Sequence, residues 1–263
     1  NPKSSTGRLD VFTRLITDGA SEFDRIDAGY HGPLYAEIAP RTFSILARTG
    51  ARLNQIRLRR GEHRLTDSEL TRLHQQSPLV HSDVGTENIS EGIALTVDLQ
   101  GAGDNGLIGY NARPHAPLID MEKINHYDPV DFWEPIYAGT GTESGLVLNP
   151  DDFYILASRE AVSVPPDHAA EMVAYDTLVG EFRVHYAGFF DPGFGWAEAG
   201  GEGTRAVLEV RSHDVPFLLE HGQTVGRLVY ERLTDSPDRI YGQDIGSNYQ
   251  KQTLALAKQF RRG

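Results

Sequence analysis

Short runs of β-branched and aliphatic residues recur along the chain, at residues 43–48, 55–59, 93–99, 153–157, 206–210 and 225–231. Clusters of Gly, Pro and Asp separate them. Apolar runs of this length between turn residues predict strands. Helical periodicity is sparse. Thr66, Asp67, Ser68 and Glu69 form a capping-box pattern ahead of Leu70 and Leu73, which predicts a helix start. Residues 168–178 and the C-terminal tail carry two further helical patterns. Many short strands and few helices predict an all-β barrel or sandwich.

An internal repeat sharpens that picture. Asp27, Gly29 and Tyr30 recur as Asp191, Gly193 and Phe194, and Glu37 recurs as Glu209. Gly50 recurs as Gly222, 13 residues after the glutamate in both copies. From the aspartate to the glutamate the spacing is 10 in the first copy and 18 in the second, and the extra residues fall in a Gly-rich stretch, 196–203, that predicts a longer hairpin tip. Two copies of one β unit are predicted, with a boundary near 78–91. The second copy carries strands from Ile93 to its counterpart of Ser4 near Thr177. The expectation is that a comparable stretch precedes Asn1.

Charge and composition then narrow the chemistry. The chain has 25 Lys and Arg against 37 Asp and Glu, a net charge of −12. Long-range repulsion therefore opposes nucleic-acid polymers and anionic membranes as partners. No apolar run reaches the roughly 18 residues of a spanning helix. Cysteine is absent, which excludes disulfides, thiolate zinc ligands and cysteine nucleophiles and leads us to expect a reducing, cytoplasmic location. The histidines show no metal-ligand spacing. Gly101, Gly103 and Gly106 match a dinucleotide fingerprint by letter alone; no helical pattern follows, so a turn is predicted.

Three features carry candidate chemistry. Lys3, Ser4, Ser5, Thr6, Gly7 and Arg8 place hydroxyls, a glycine and two cations together, as a phosphate cradle requires; the same residues would also serve as a solvated terminus. Arg25, Asp27 and Tyr30 form a turn ahead of Glu37, and a glutamate near an arginine can act as general acid and base or simply face water. Six arginines and no acids lie between Arg41 and Arg60, a contrast with the acidic whole that suits an anionic ligand or a solvated face.

Taken in order, these motifs resemble the dCTP deaminase branch of the dUTPase-like superfamily. Lys3 to Arg8 resembles the R-S-S-L-A-R segment, Asp24 to Tyr30 resembles H-R-I-D-P-G-W, and Tyr35 to Ile38 stands where the family has V-L-E-F. Residues 50–56 resemble the G-x-x-I-x-Q strand, and the tail through Tyr241, Tyr249 and Gln252 also fits. The arrangement is similar to the long, tandem-repeat form. It implies two tandem dUTPase-like β-barrels (distorted jelly rolls) with a few short helices: residues 1–85, lacking their N-terminal part, and residues 86–263 with the tail.

The resemblance also implies a mechanism. dCTP, carrying Mg²⁺ with its triphosphate, is hydrolysed to dUTP and ammonia, with no protein-ligated metal. Glu37 and Arg25 would be catalytic, the glutamate as general acid/base. Lys3, Ser4, Ser5 and Arg8 would hold phosphates, Asp27 the 3′-hydroxyl and Tyr30 the sugar, with Gln55, Tyr241, Tyr249 and Gln252 completing the substrate site. In the second copy Phe189 stands where Arg25 does, so Glu209 reads as non-catalytic. A dUTP diphosphatase, a bifunctional deaminase–diphosphatase and a non-catalytic nucleotide-binding protein are the competing readings. The family's assembly implies a homotrimer.

Overall fold

The structure is a computed structural model that describes residues 1–81, 88–101, 105–139, 145–174, 182–184, 188–196, 202–212, 214–242 and 254–262. It is mostly β. Its elements in chain order are α1 (Ser4–Gly7), β1 (Val11–Thr17), β2 (Leu34–Pro40), β3 (Ile45–Leu46), α2 (Asp67–Gln76), β4 (Val80–His81), β5 (Ile93–Thr96), β6 (Leu107–Ala112), β7 (Ile119–Asp120), β8 (Trp133–Tyr137), β9 (Gly145–Leu148), β10 (Phe153–Val162), β11 (His168–Ala174), β12 (Phe182–Val184), β13 (Phe189–Phe190), β14 (Thr204–Ser212), β15 (Phe217–Glu220) and β16 (Thr224–Arg232). A 3₁₀ turn, Pro129–Asp131, precedes β8.

The chain forms two compact units. The first comprises Asn1–Leu58, Ala112–Glu134 and Leu256–Gly263; the second comprises Arg59–Asn111 and Pro135–Ala255. In the first unit the N-terminal segment runs antiparallel to residues 53–55, through bonds from Lys3 N to Leu53 O and from Gln55 N to Asn1 O. β1 and β2 then form an antiparallel ribbon from Val11 opposite Pro40 to Thr17 opposite Leu34. Its apolar centre is aromatic: Phe43 meets Trp133 edge-on at 5.1 Å, and Phe132 meets Phe260 at 5.3 Å. Such pairs add to the area they bury.

In the second unit one sheet runs β12–β14–β10–β6–β8 with β4 also on β10, and another runs β13–β11–β16–β5. Leu156, Leu208 and Val210 of the first sheet share a buried cluster with Leu95, Met172, Leu228 and Tyr230 of the second. Two sheets facing one apolar layer form a sandwich, and each fully buried Leu or Val contributes about 1.5–3 kcal/mol. β10 carries a bulge between Ala157 and Ala161. The Ser158 hydroxyl donates to Glu160 O and accepts from Ala206 N, so it satisfies backbone groups the bulge removes from the ladder.

Several sequence expectations meet the structure directly. α2 starts as its letters predict: Thr66 Oγ1 accepts from Glu69 N, and the Glu69 carboxylate accepts from Thr66 N. The strands at 153–157, 206–210 and 225–231 are present and longer than predicted. The helix expected over 168–178 is corrected. Residues 168–174 are β11, paired with β16 from His168 opposite Arg232 to Ala174 opposite Gly226. Alanine-rich helix propensity there yields to pairing on both edges of a buried strand. Residues 55–59 form no strand, and Ile56 and Leu58 are exposed. The described part of the C-terminal tail, 254–262, contains no helix.

Candidate active site

The repeated Asp-x-Gly motifs fold as equivalent turns. Tyr30 N donates to Asp27 O at 3.2 Å, and Phe194 N donates to Asp191 O at 3.0 Å. The glycine in the third position of each has a left-handed backbone, with φ +81° at Gly29 and +91° at Gly193. That is the type II pattern, which needs glycine at this place. A second pair matches as well: Ala51 N donates to Arg48 O, and Gln223 N to Glu220 O, across Gly50 and Gly222. The strands carrying the repeated glutamates also have like partners, β2 on β1 and β14 on β12, both antiparallel.

Around Glu37 the first-copy residues assemble as follows. Glu37 lies in β2 opposite Arg14 of β1, with Arg14 Nη1 3.7 Å from Glu37 Oε2. Sequence reasoning missed Arg14. The signal was present in the basic residue at the centre of a strand-like run, but its partner became evident only from the register. The Arg14 guanidinium lies over the rings of Phe23 at 5.2 Å and Phe12 at 5.6 Å, so the cation beside Glu37 is held by two aromatic faces. Asp24 anchors the intervening loop: its carboxylate accepts from Leu15 N, and its own N–H donates to Leu15 O.

Arg25 faces its own loop. Its Nη1 is 3.0 Å from Glu22 Oε2 and its Nε 3.0 Å from Asp27 Oδ1. The hydrogen bond to Glu22, and then the charge of Asp27, hold the guanidinium more firmly protonated than usual. Asp27 is exposed. The Tyr30 hydroxyl donates to Pro33 O at 2.6 Å and accepts from Asp18 N at 3.2 Å, which ties the turn to the end of the ribbon. β2 is open to solvent on both faces, with Leu34, Tyr35 and Ile38 exposed.

The phosphate-cradle residues lie in the same unit. Lys3 precedes α1, Ser4 is exposed, and Ser5 and Arg8 are buried. Thr6 Oγ1 donates to Leu53 O. The Gln55 amide donates to Pro2 O at 3.4 Å, so Gln55 serves the N-terminal pairing. Tyr241 belongs to the second unit, where its N–H donates to Pro192 O and its ring lies 5.8 Å from Phe194. Tyr249 and Gln252 lie outside the described residues. Among the described residues no group of three or more His, Asp or Glu is placed to hold a metal ion, and no helix is long and apolar enough to cross a membrane.

The arginine-rich stretch divides on inspection. Arg48 forms a two-pronged pair with Asp120 at 2.7 and 3.0 Å. Arg59 reaches Glu171 at 2.5 Å and Glu231 at 2.6 Å and lies 5.7 Å from the Phe189 ring. Burial works against the Arg59 charge, but the two carboxylates outweigh it and hold the guanidinium protonated. These two arginines are structural.

The first unit thus sets a strand glutamate beside an arginine, downstream of a short helix flanked by cations and carrying hydroxyls. Comparison with known proteins narrows this. Residues 1–62 match the N-terminal domain and residues 66–260 the C-terminal domain of the 2′-deoxycytidine 5′-triphosphate deaminase (DCD) family, and the chain belongs to that family. A dCTP deaminase, dUMP-forming, from Halobacterium salinarum is 34% identical over 154 residues, which span 55% of this chain and 74% of that protein. A dCTP deaminase from Natronomonas pharaonis is 31% identical over 126 residues, 47% of this chain and 60% of the other. The crystal structure of 2′-deoxycytidine 5′-triphosphate deaminase from Agrobacterium tumefaciens superposes with a TM-score of 0.83 and 58% identity, covering 90% of this chain and 69% of that one.

Proposed function

We propose that the protein deaminates dCTP by hydrolysis, with Glu37 as general acid and base. The carboxylate takes a proton from a water molecule as its oxygen adds to C4 of cytosine. The same group then returns a proton to the departing amine, and ammonia leaves. One dCTP and one water give one dUTP and one ammonia, so no redox partner is required. A positioned carboxylate performs such transfers with gains of about 10²–10⁴. The observation that carries this reading is the Glu37 strand itself: an unburied carboxylate opposite Arg14, preceded in order by the motifs of the matched N-terminal family domain.

In this reading the substrate enters as its Mg²⁺ complex. Lys3, Ser4, Ser5 and Arg8 take the phosphates, Asp27 the 3′-hydroxyl and Tyr30 the sugar. Gln55 and Arg25 complete the site within this unit. The equivalent turns at Gly29 and Gly193 and the like strand pairings support two tandem barrels of jelly-roll type. A homotrimer is the proposed assembly.

A second reading shares the first step. Relatives named dUMP-forming favour a protein that also hydrolyses the triphosphate. A second water would then release pyrophosphate and leave dUMP. Incubation with dCTP, followed by assays for ammonia and pyrophosphate, separates the cases. Ammonia alone supports dUTP as product, and ammonia with equimolar pyrophosphate supports dUMP. Absence of ammonia overturns both.

A further inference from the structure

The glycine turn that recurs at 50 and 222 is loaded differently in the two repeats. Both glycines have a left-handed backbone, with φ +89° at Gly50 and +78° at Gly222. A Cβ at Gly50 would meet nothing within 4 Å, whereas one at Gly222 would lie 3.1 Å from Arg159 Nη1. The Arg159 guanidinium therefore rests on the second turn, and glycine leaves the room for it. His221 precedes this glycine, where the first copy has Thr49. Leu99 N donates to His221 Nδ1 at 3.1 Å, so the neutral ring carries its proton on Nε2. Arg159 and His221 are each only partly buried, so an ion in solution can reach them.

The surrounding backbone fixes this arrangement. Val97 N donates to Gln223 O, Gly222 N to Val97 O and Asp98 N to Ala157 O, which draws residues 97–98, 157 and 222–223 together. Arg159 sits inside the β10 bulge, whose backbone is held by the Ser158 hydroxyl. Bulges serve to re-aim a side chain. The nearby acids are committed elsewhere. Asp98 pairs with Arg205, and the two Glu160 oxygens accept from the N–H and the hydroxyl of Thr96. Among the described residues Arg159 forms no ion pair. Burial, then the Arg159 charge, push the His221 imidazole below its usual pKa and outweigh Asp98, whose Oδ1 lies 3.6 Å from Nδ1. What results is a fixed positive charge beside a neutral N–H donor, in a chain of net charge −12.

We propose that Arg159 and His221 form an oxyanion site on the second repeat that takes a phosphate group, with the guanidinium as charged fork and Nε2–H as second donor. Both residues belong to the second unit and Glu37 to the first, and the proposal does not rest on the dCTP reading. A guanidinium matches two phosphate oxygens at once, and a neutral imidazole adds a donor that stays in place whether or not the anion is bound. Donors fixed in advance lose less freedom when the anion arrives. Here the bulge fixes one and the Leu99 bond fixes the other. An anion held only by the folded state stabilises it by mass action. The repeat with Phe189 at the Arg25 position would thus have a ligand of its own.

The test uses the full chain in phosphate-free buffer at low salt, where such contacts are least screened, titrated with inorganic phosphate. The His221 imidazole resonances, assigned by their absence in His221→Gln, report this site apart from any other phosphate contact. They should move during the titration of the wild type. In Arg159→Met the same movement should need about ten- to a hundredfold more phosphate, the range for losing one charged contact. Arg159→Lys keeps the charge without the fork and should fall between the two. Without phosphate, Arg159→Met should melt close to the wild type, since no ion pair is lost; if it fails to fold, Arg159→Lys carries the comparison. A parallel titration with dUMP separates the sources: movement at lower concentration than with inorganic phosphate assigns the site to a nucleotide, and movement with inorganic phosphate alone assigns it to the free ion. His221 resonances that stay still in the wild type, or that move equally in wild type and both Arg159 variants, overturn the site.

Discussion

Arg14 and Glu37 face each other across the β1–β2 ladder, and the arginine is braced by Phe12 and Phe23. The two side chains are 45% and 48% exposed, so their attraction contributes only about 0.2–1 kcal/mol to folding. The pairing therefore serves position more than stability. Arg14→Met should leave the melting temperature nearly unchanged while ammonia release from dCTP falls on the order of tenfold, a shift of about 1.4 kcal/mol in the barrier. Steady-state kinetics and thermal melts on the same preparation check this. A large loss of stability with unaltered turnover would reverse the assignment.

Glu37→Gln keeps the side chain's size and removes the proton it can carry. Turnover should drop about 10²–10⁴-fold or more while dCTP still binds. The paired control is Glu209→Gln, on the buried strand β14 of the other repeat, which should leave turnover within a few-fold. Ammonia release and equilibrium binding, measured together, distinguish lost chemistry from lost affinity.

Arg59 is the cation shared by Glu171 and Glu231, whose side chains are only 11% and 4% exposed. Arg59→Met leaves two buried carboxylates without it. Removing one partner from a buried ionic group costs about 3–5 kcal/mol. Chemical denaturation should show that loss, and the triple change Arg59→Met, Glu171→Gln, Glu231→Gln should recover most of it. A single substitution that is silent would mean water already screens the cluster.

Asp98 sets an acid limit on the second unit. Burial raises its pKa, but the Arg205 hydrogen bond and the N–H groups of Gln100 and Gly101 outweigh burial and hold it below the usual range. A carboxyl depressed in the folded state stabilises above its unfolded value, near pH 4, and that contribution is lost as the pH falls through the folded value. Asp98→Asn should thus be less stable than wild type at pH 7, and the gap should close as the pH falls below about 4. A gap that is constant with pH would show that the carboxylate charge is not what matters.

Local signals were legible where one stretch of sequence decides the outcome. The capping box at Thr66 and Glu69 needs only four residues, and the Asp27 and Asp191 turns need only a glycine in the right place. Signals failed where a distant strand decides. The segment His168–Ala174 reads as a helix until β16 claims it. Arg14 becomes a neighbour of Glu37 only through register, and the chain end takes its place only through bonds to residues 121–127. Six arginines looked like one feature, yet two of them answer to specific acids.

Gly29 and Gly193 occupy matching turns for unequal reasons. A Cβ at Gly29 would meet nothing within 4 Å, so only its backbone angle resists change; a Cβ at Gly193 would lie 2.8 Å from Tyr241 O and 2.9 Å from the Ile240 Cβ. Asparagine and aspartate tolerate the left-handed angle but still carry that Cβ. A library randomised at both positions and selected for folding alone would therefore return Asn and Asp beside Gly at 29, and glycine almost uniformly at 193. The letter most firmly retained under such selection would belong to the repeat without the proposed chemistry, so persistence of the motif measures crowding there and not activity.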